Sequence, residues 1–177
     1  MANRNFSPFP ILTTERLTLR QLSTDDEQNI FALRSDPAIN KYLGRAPSKT
    51  IEDATNFINQ INDNIQKNNS IYWIITLTET KTFAGTICLF DFSDEKNSCE
   101  IGYELMTKFQ NQGIMKEALE EVIAYAFNTL QFQKIAAFTH QENQQSSKLL
   151  KKFNFTQSLE TNEENPDYNI FTLNTIN

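Results

Sequence analysis

The chain has 177 residues, 39% of them hydrophobic and 21% charged, with 16 basic and 22 acidic side chains for a net charge of −6. That length and composition suit one globular domain over residues 1–177 with a real core, and they exclude a disordered chain. The acidic balance, with no basic stretch beyond the pair Lys151-Lys152, argues against nucleic acid as a partner, and two cysteines (Cys88, Cys99) without a CxxC plus one histidine leave no disulfide framework and no metal site.

No run of about 18 apolar residues occurs, so no membrane-spanning helix is expected. Residues 1–10 hold one Arg and no apolar segment, which does not read as a signal peptide, and a cytoplasmic location is the expectation. Leu17 and Leu19 alternate with Arg16, Thr18 and Arg20, predicting a half-buried strand within 11–20. Thr24 and Glu27 have capping-box spacing, so a helix is expected from there until Pro37 ends it. Ile51, Ala54, Ile58, Ile61 and Ile65 share one face of a second helix over 50–67. Strands at 71–78 and 83–91 are joined closely enough, by Glu79-Thr80-Lys81, for a hairpin.

A third strand, 98–106, puts Cys99, Ile101, Tyr103 and Leu105 on one face and Glu100, Gly102 and Glu104 on the other. Apolar spacing from Met115 to Leu130 gives a helix over 114–129. A strand at 134–139 follows, then a helix capped by Asn143, then closing strands at 155–159 and 168–173. The order β-α-α-β-β-β-α-β-α-β-β describes an α/β chain with a mixed sheet and helices on its faces.

The stretch that carries chemistry runs from Leu105 to Leu119. A strand ends, a loop of Gln110, Asn111, Gln112 and Gly113 follows, and a long amphipathic helix opens with Ile114, Met115 and Lys116. A helix N-terminus offers unpaired N–H groups and a positive dipole end, which suit phosphate. Gly113 lets the backbone approach a ligand closely. Without G-K-[ST] or GxGxxG, this is neither a P-loop nor a dinucleotide fingerprint.

Gln110 and Gly113 resemble the Q/R-x-x-G-x-G/A acetyl-CoA motif of the GNAT acetyltransferase superfamily, with Met115 where the motif ends in Gly or Ala. Gln112 to Leu119 is similar to the GKG-x-x-x-EAL segment of the branch that includes ribosomal-protein N-terminal acetyltransferases, the Rim type. Thr14-Glu15-Arg16-Leu17 with Arg20 resembles that branch's T-E-R-L-x-L-R strand, Glu100-Ile101-Gly102-Tyr103 its E-I-G-Y strand, and Asn143, Ser146 and Phe155 its N-x-x-S…G-F helix and strand. Together these matches span about residues 11–158.

The resemblance implies the GNAT fold, α/β (α+β) with a mixed and mostly antiparallel central sheet flanked by helices. It implies acetyl-CoA as cosubstrate, no metal, and direct acetyl transfer in a ternary complex to an amine: a peptide or protein N-terminus, or a small molecule. A homodimer is compatible with it. The pantetheine arm would lie in a splay between the fold's fourth and fifth strands, and the pyrophosphate on the amides of about 110–116. Leu105, Met106, Gln110, Asn111, Gln112, Gly113, Ile114, Met115, Lys116, Asn143 and Ser146 are then the cofactor-binding candidates.

An alkylammonium must lose a proton before it attacks a thioester, and a carboxylate in a partly dry cleft can take it. Glu100 is the candidate base, with Glu104 on the same face behind it. The resemblance implies that a backbone N–H near Leu105 or Met106 would meet the oxyanion. Many family members protonate the departing thiolate with a Tyr at the position held here by Leu150; the resemblance gives that task to Ser146, whose other reading is a plain first-turn serine. Asn143 either sits near the pantetheine or only caps its helix. Tyr103 and Trp73 read as core, and His140 as a structural or surface residue. A non-catalytic acyl-CoA-binding sensor or scaffold is the alternative function.

Overall fold

The structure, a computed structural model, describes residues 4–159 and 165–175. The strands are β1 (Leu12–Thr13), β2 (Leu17–Gln21), β3 (Ile71–Leu77), β4 (Phe83–Ser93), β5 (Ser98–Leu105), β6 (Lys134–His140), β7 (Thr156–Gln157) and β8 (Tyr168–Asn174). The α-helices are α1 (Glu27–Ser35), α2 (Pro37–Asn40), α3 (Ile51–Gln66), α4 (Ile114–Ala124) and α5 (Gln144–Lys152). The strands form one sheet in the order β1-β2-β3-β4-β5-β6-β8-β7, antiparallel throughout except between β5 and β6.

β3 is buried on both faces from Ile71 to Thr76. Its neighbours Tyr72 and Trp73 point opposite ways and mark the two helical layers. Tyr72 meets Phe57 of α3 edge-on at 5.7 Å, and Trp73 meets Tyr125, just past α4, at 5.5 Å. Trp73 keeps its indole N–H satisfied by donating to the Pro10 carbonyl at 2.8 Å.

Five local features depart from the sequence expectation. The opening strand is two strands, because the Leu17 N–H donates to Thr14 Oγ1 and the Thr14 N–H to the Leu17 carbonyl, turning a corner between them. The capping box is Ser23–Asp26 rather than Thr24–Glu27, and Thr24–Asp26 is a 3₁₀ turn before α1. Arg20 grips the buried Asp26 carboxylate at 2.6 and 2.8 Å and so fixes the residue that caps.

Pro37 does more than end α1. It is the first residue of α2, whose N-cap Asp36 accepts from the Ala38 N–H at 2.8 Å. The helix expected over 114–129 is α-helical only to Ala124, and Tyr125–Thr129 widens into a π turn. The closing strand expected over 155–159 is confined to Thr156–Gln157. Between β7 and β8, residues 160–164 lie outside the described residues.

The feature that positions the site is the join between β5 and β6. They pair at Ser98–Lys134, Cys99–Ile135 and Glu100–Ala136 only. Beyond that, β5 runs on to Leu105 and β6 to His140, unpaired with each other. β4 and β5, by contrast, are drawn tight at the far end. A Cβ on Gly85 would lie 2.2 Å from the Glu104 carbonyl oxygen and 2.9 Å from the Leu105 Cα, so no side chain fits there.

Candidate active site

The loop after β5 is shaped by two residues with left-handed backbone, Asn111 at φ 60° and Gly113 at φ 78°. The Gln110 amide donates back to the Leu105 carbonyl at 3.2 Å, and Gln112 donates to the Lys108 carbonyl at 2.7 Å. Asn111 accepts from Gln145 of α5 at 3.1 Å. The first intrahelical bond of α4 runs from the Glu117 N–H to the Gly113 carbonyl. Gly113 is the N-cap, and no side chain caps this end. The amides that precede Glu117 therefore have no intrahelical acceptor, and a helix end of this kind suits an anion.

Two motifs far apart in the sequence meet here. Glu117, in the first turn of α4, accepts from the Thr14 hydroxyl, from the Arg16 N–H at 2.9 Å and from Arg16 Nε at 2.7 Å. Burial alone would raise the Glu117 carboxyl, but these hydrogen bonds outweigh it and hold it below its ordinary value. Arg16 also donates to the Gln112 carbonyl at 3.2 Å, so the corner between β1 and β2 braces the loop from outside.

A cavity of about 480 Å³ lies against this loop. Leu105, Gln110, Asn111, Gly113, Ile114, Met115, Lys116, Asn143 and Ser146 all line it, whereas Met106 and Gln112 do not. Lys148 and Lys152 of α5 join Lys116 on its wall, a cationic rim on an acidic protein. Met115 is only 6% exposed and packs into the core. Asn143 caps α5 by accepting from the Ser146 N–H at 3.1 Å.

The Met106 N–H is committed to the Ala84 carbonyl at 2.9 Å. Amides alternate sides along an antiparallel strand, so the Leu105 N–H points away from β4, into the gap that β6 leaves.

A second cavity, about 510 Å³, lies under α1 and α3 and is lined by Arg34, Arg45, Phe57, Tyr72, Gly102 and Asp91 among others. The two cavities share Leu43, Tyr103 and Glu104. Both Glu104 oxygens accept from the Arg45 guanidinium, and Arg45 Nε donates to Asn40 Oδ1 at 3.0 Å. Glu100 lies on the same strand face, four residues away, or about 13 Å along an extended chain. It lines neither cavity, but its partner Asp91 lines the second one. Burial, then the neighbouring Asp91, pushes the Glu100 carboxyl up to about 7.

Ser146 does not fold back on its own helix. Its Oγ shares a hydrogen bond with the Tyr103 hydroxyl at 2.8 Å, linking α5 to β5. Burial pushes the Tyr103 phenol up to about 12. Leu150 is fully buried in the core. Burial likewise pushes the Cys88 and Cys99 thiols up to about 12, which makes both poor nucleophiles at neutral pH. His140 accepts from the Glu142 N–H and stacks on Tyr42. Among the described residues no group of three or more His, Cys, Asp or Glu is placed to hold a metal, and no helix is long and apolar enough to cross a membrane.

Residues 16–156 match the family described as an acetyltransferase (GNAT) domain. The chain belongs to the GNAT acetyltransferase family. It is 33% identical over 147 residues to the uncharacterized N-acetyltransferase YoaA of Bacillus subtilis (strain 168), covering 83% of each chain. Among solved structures, the ribosomal-protein-S5-alanine acetyltransferase of Vibrio fischeri superposes with a TM-score of 0.79 at 18% identity, covering 93% of this chain and 96% of that one. RimL, a ribosomal L7/L12 alpha-N-protein acetyltransferase solved with coenzyme A, also gives 0.79 at 18% identity, covering 93% and 98%. These two share the fold. As a GNAT N-acetyltransferase, the protein moves an acetyl group from acetyl-CoA, its cosubstrate, to an amine.

Several residues around this GNAT site were not singled out from sequence. Tyr103 reads as core by alternation, and only its hydrogen bond to Ser146 of α5 shows that its hydroxyl end reaches the cavity wall. Arg34, Arg45 and Tyr42 come from a stretch without a motif. Lys148 and Lys152 carry a readable signal, a spacing of four on an amphipathic helix next to the cofactor loop.

Proposed function

We propose that amine and thioester meet at Tyr103 and Glu104, the amine reaching them from the cavity under α1 and α3. The observation that carries this reading is the wall of Leu43, Tyr103 and Glu104 common to both cavities, beside the gap between β5 and β6. Acetyl-CoA supplies the activated acyl group. The amides at Gly113 to Lys116, with Lys116, Lys148 and Lys152, would hold its phosphates. The Leu105 N–H would donate to the oxyanion, and the hydrogen-bonded Ser146–Tyr103 pair would donate to the departing sulfur. Raised Cys88 and Cys99 thiols favour direct attack over an acyl-enzyme. Likeness to the Rim-type branch in sequence motifs, and in fold to ribosomal-protein acetyltransferases, favours a peptide or protein N-terminus as acceptor.

Glu100 is the proposed proton acceptor, because a carboxyl near 7 is matched to neutral operating pH. One observation favours Glu104 instead: it lines both cavities. Thiol release from acetyl-CoA over an amine panel tests the function itself; cofactor binding without turnover on any amine would mean a sensor module. On a productive amine, Glu100→Gln should lower kcat by about 10²–10⁴-fold and abolish an acidic limb near pH 7. Loss of kcat in Glu104→Gln alone, with that limb intact in Glu100→Gln, moves the role to Glu104.

A further inference from the structure

The acceptor-side cavity holds two guanidinium groups that differ in one respect. Arg45 is paired with Glu104 through both terminal nitrogens and with Asn40 through Nε. Arg34 is not paired. No carboxylate among the described residues forms an ion pair with it, and its buried Nε has no hydrogen-bond partner. It is nonetheless held in place. Its guanidinium carbon lies 3.8 Å over the Phe57 ring, and its carbonyl accepts from the Asn40 side chain at 2.9 Å and from the Ser48 N–H at 3.0 Å. Burial, then the nearby Arg45, holds the Arg34 guanidinium below its ordinary value, because Glu104, whose oxygens are taken by Arg45, offsets this only in part.

A second donor in the same cavity is also unsatisfied. The Tyr72 hydroxyl is buried and close enough to Arg34 for each to perturb the other's ionisation. Thr86 stands near it, yet no partner within hydrogen-bond geometry satisfies it. Buried donors are normally paired, and an arginine fork matches a planar carboxylate. Glu104 and Asp91 on the cavity wall argue against a doubly charged phosphate, and the two arginines argue against a second ammonium beside them.

We propose that the acceptor amine also carries a carboxylate, received by Arg34 and Tyr72 while the amino group faces Glu104. This rests on the reading of the cavity as the acceptor's. The carboxylate comes either from a free amino acid or from an acidic residue beside a peptide's N-terminus.

The test measures kcat/KM with acetyl-CoA for matched pairs: leucine against leucinamide, and the C-terminally amidated dipeptides Ala-Asp against Ala-Asn. The carboxylate member should be favoured about ten- to a hundredfold in one pair, and that pair identifies the source. The ratio should collapse toward one in Arg34→Lys, which keeps the charge but loses the fork, and fall partway in Tyr72→Phe, with thermal melts confirming that both fold. Equal use of both members of each pair overturns the inference and leaves the amine acetyltransferase intact. Should no amine turn over, calorimetric titration of N-acetyl-leucine and N-acetyl-leucinamide into the protein with coenzyme A decides it. Carboxylate-selective binding lost in Arg34→Lys keeps the inference, and equal or absent binding of the two removes it.

Discussion

Glu100 and Asp91 form a carboxyl pair at the edge of the cavity under α1 and α3, and their proximity has a thermodynamic signature. Because the folded protein holds Glu100 near 7 against an ordinary value of 4.5, it keeps a proton that the unfolded chain has lost between those two values. Stability therefore falls as pH rises through that window and stays lower above it. Glu100→Gln removes the penalty. At pH 8 the variant should melt higher, by on the order of 1 kcal/mol once solvent screening of this half-exposed group is allowed for, and at pH 4 it should match the parent. A difference that does not change with pH means the carboxyl is not shifted. Glu100 and Ser146 stand out as candidates in the sequence through strand and helix motifs, whereas Tyr103 alternates with core residues and shows its bond to Ser146 only across 43 positions.

The loop between β5 and α4 was the most readable element, since a β-loop-α junction with a scarce glycine is visible in one dimension. What the sequence concealed is why the glycine is needed. A Cβ on Gly113 would meet only Arg16 Nη2 at 3.4 Å, an ordinary contact, but φ is 78°. The requirement is conformational before it is steric. Gly113→Val should lose about 1–2 kcal/mol of stability and weaken acetyl-CoA binding together. Gly113→Asn, whose side chain tolerates left-handed backbone, should keep the melting temperature. Calorimetric titration of acetyl-CoA into both variants checks this: an asparagine variant that folds but no longer binds shows that the ligand itself needs the bare backbone. The brace from Thr14 and Arg16 to Glu117 was invisible for another reason. Its ends are about a hundred residues apart, and each reads locally as an ordinary strand or helix residue.

At the scale of the molecule, the succession of strands and helices was legible from periodicity and capping signals, apart from the split of the opening strand and the short helix α2 that Pro37 opens. The covering of the cavity under α1 and α3 was not, because Arg34, Arg45 and Phe57 lie in a stretch whose spacing reports only which face is apolar. Gly102 is the floor of that cavity. A Cβ there would come within 3.3 Å of Phe90 and 3.4 Å of Cys88. Gly102→Leu should fill the space and raise KM for the amine at least about tenfold, since a well-packed site rejects added volume, while the dissociation constant for acetyl-CoA stays within about twofold. A loss of acetyl-CoA affinity without a change in amine KM assigns the cavity elsewhere. The short join between β5 and β6 has a mechanical meaning as well. Among the described residues, three residue pairs, with the Gln133 and Lys134 N–H groups donating to the Asn97 carbonyl beside them, join a five-stranded plate to a three-stranded one. The sheet is thus two plates on a narrow seam, and a ligand seated past that seam bears on both. Acetyl-CoA seated there is expected to touch both plates, and slower hydrogen exchange at β8 on adding it would show that the contact stiffens the far plate.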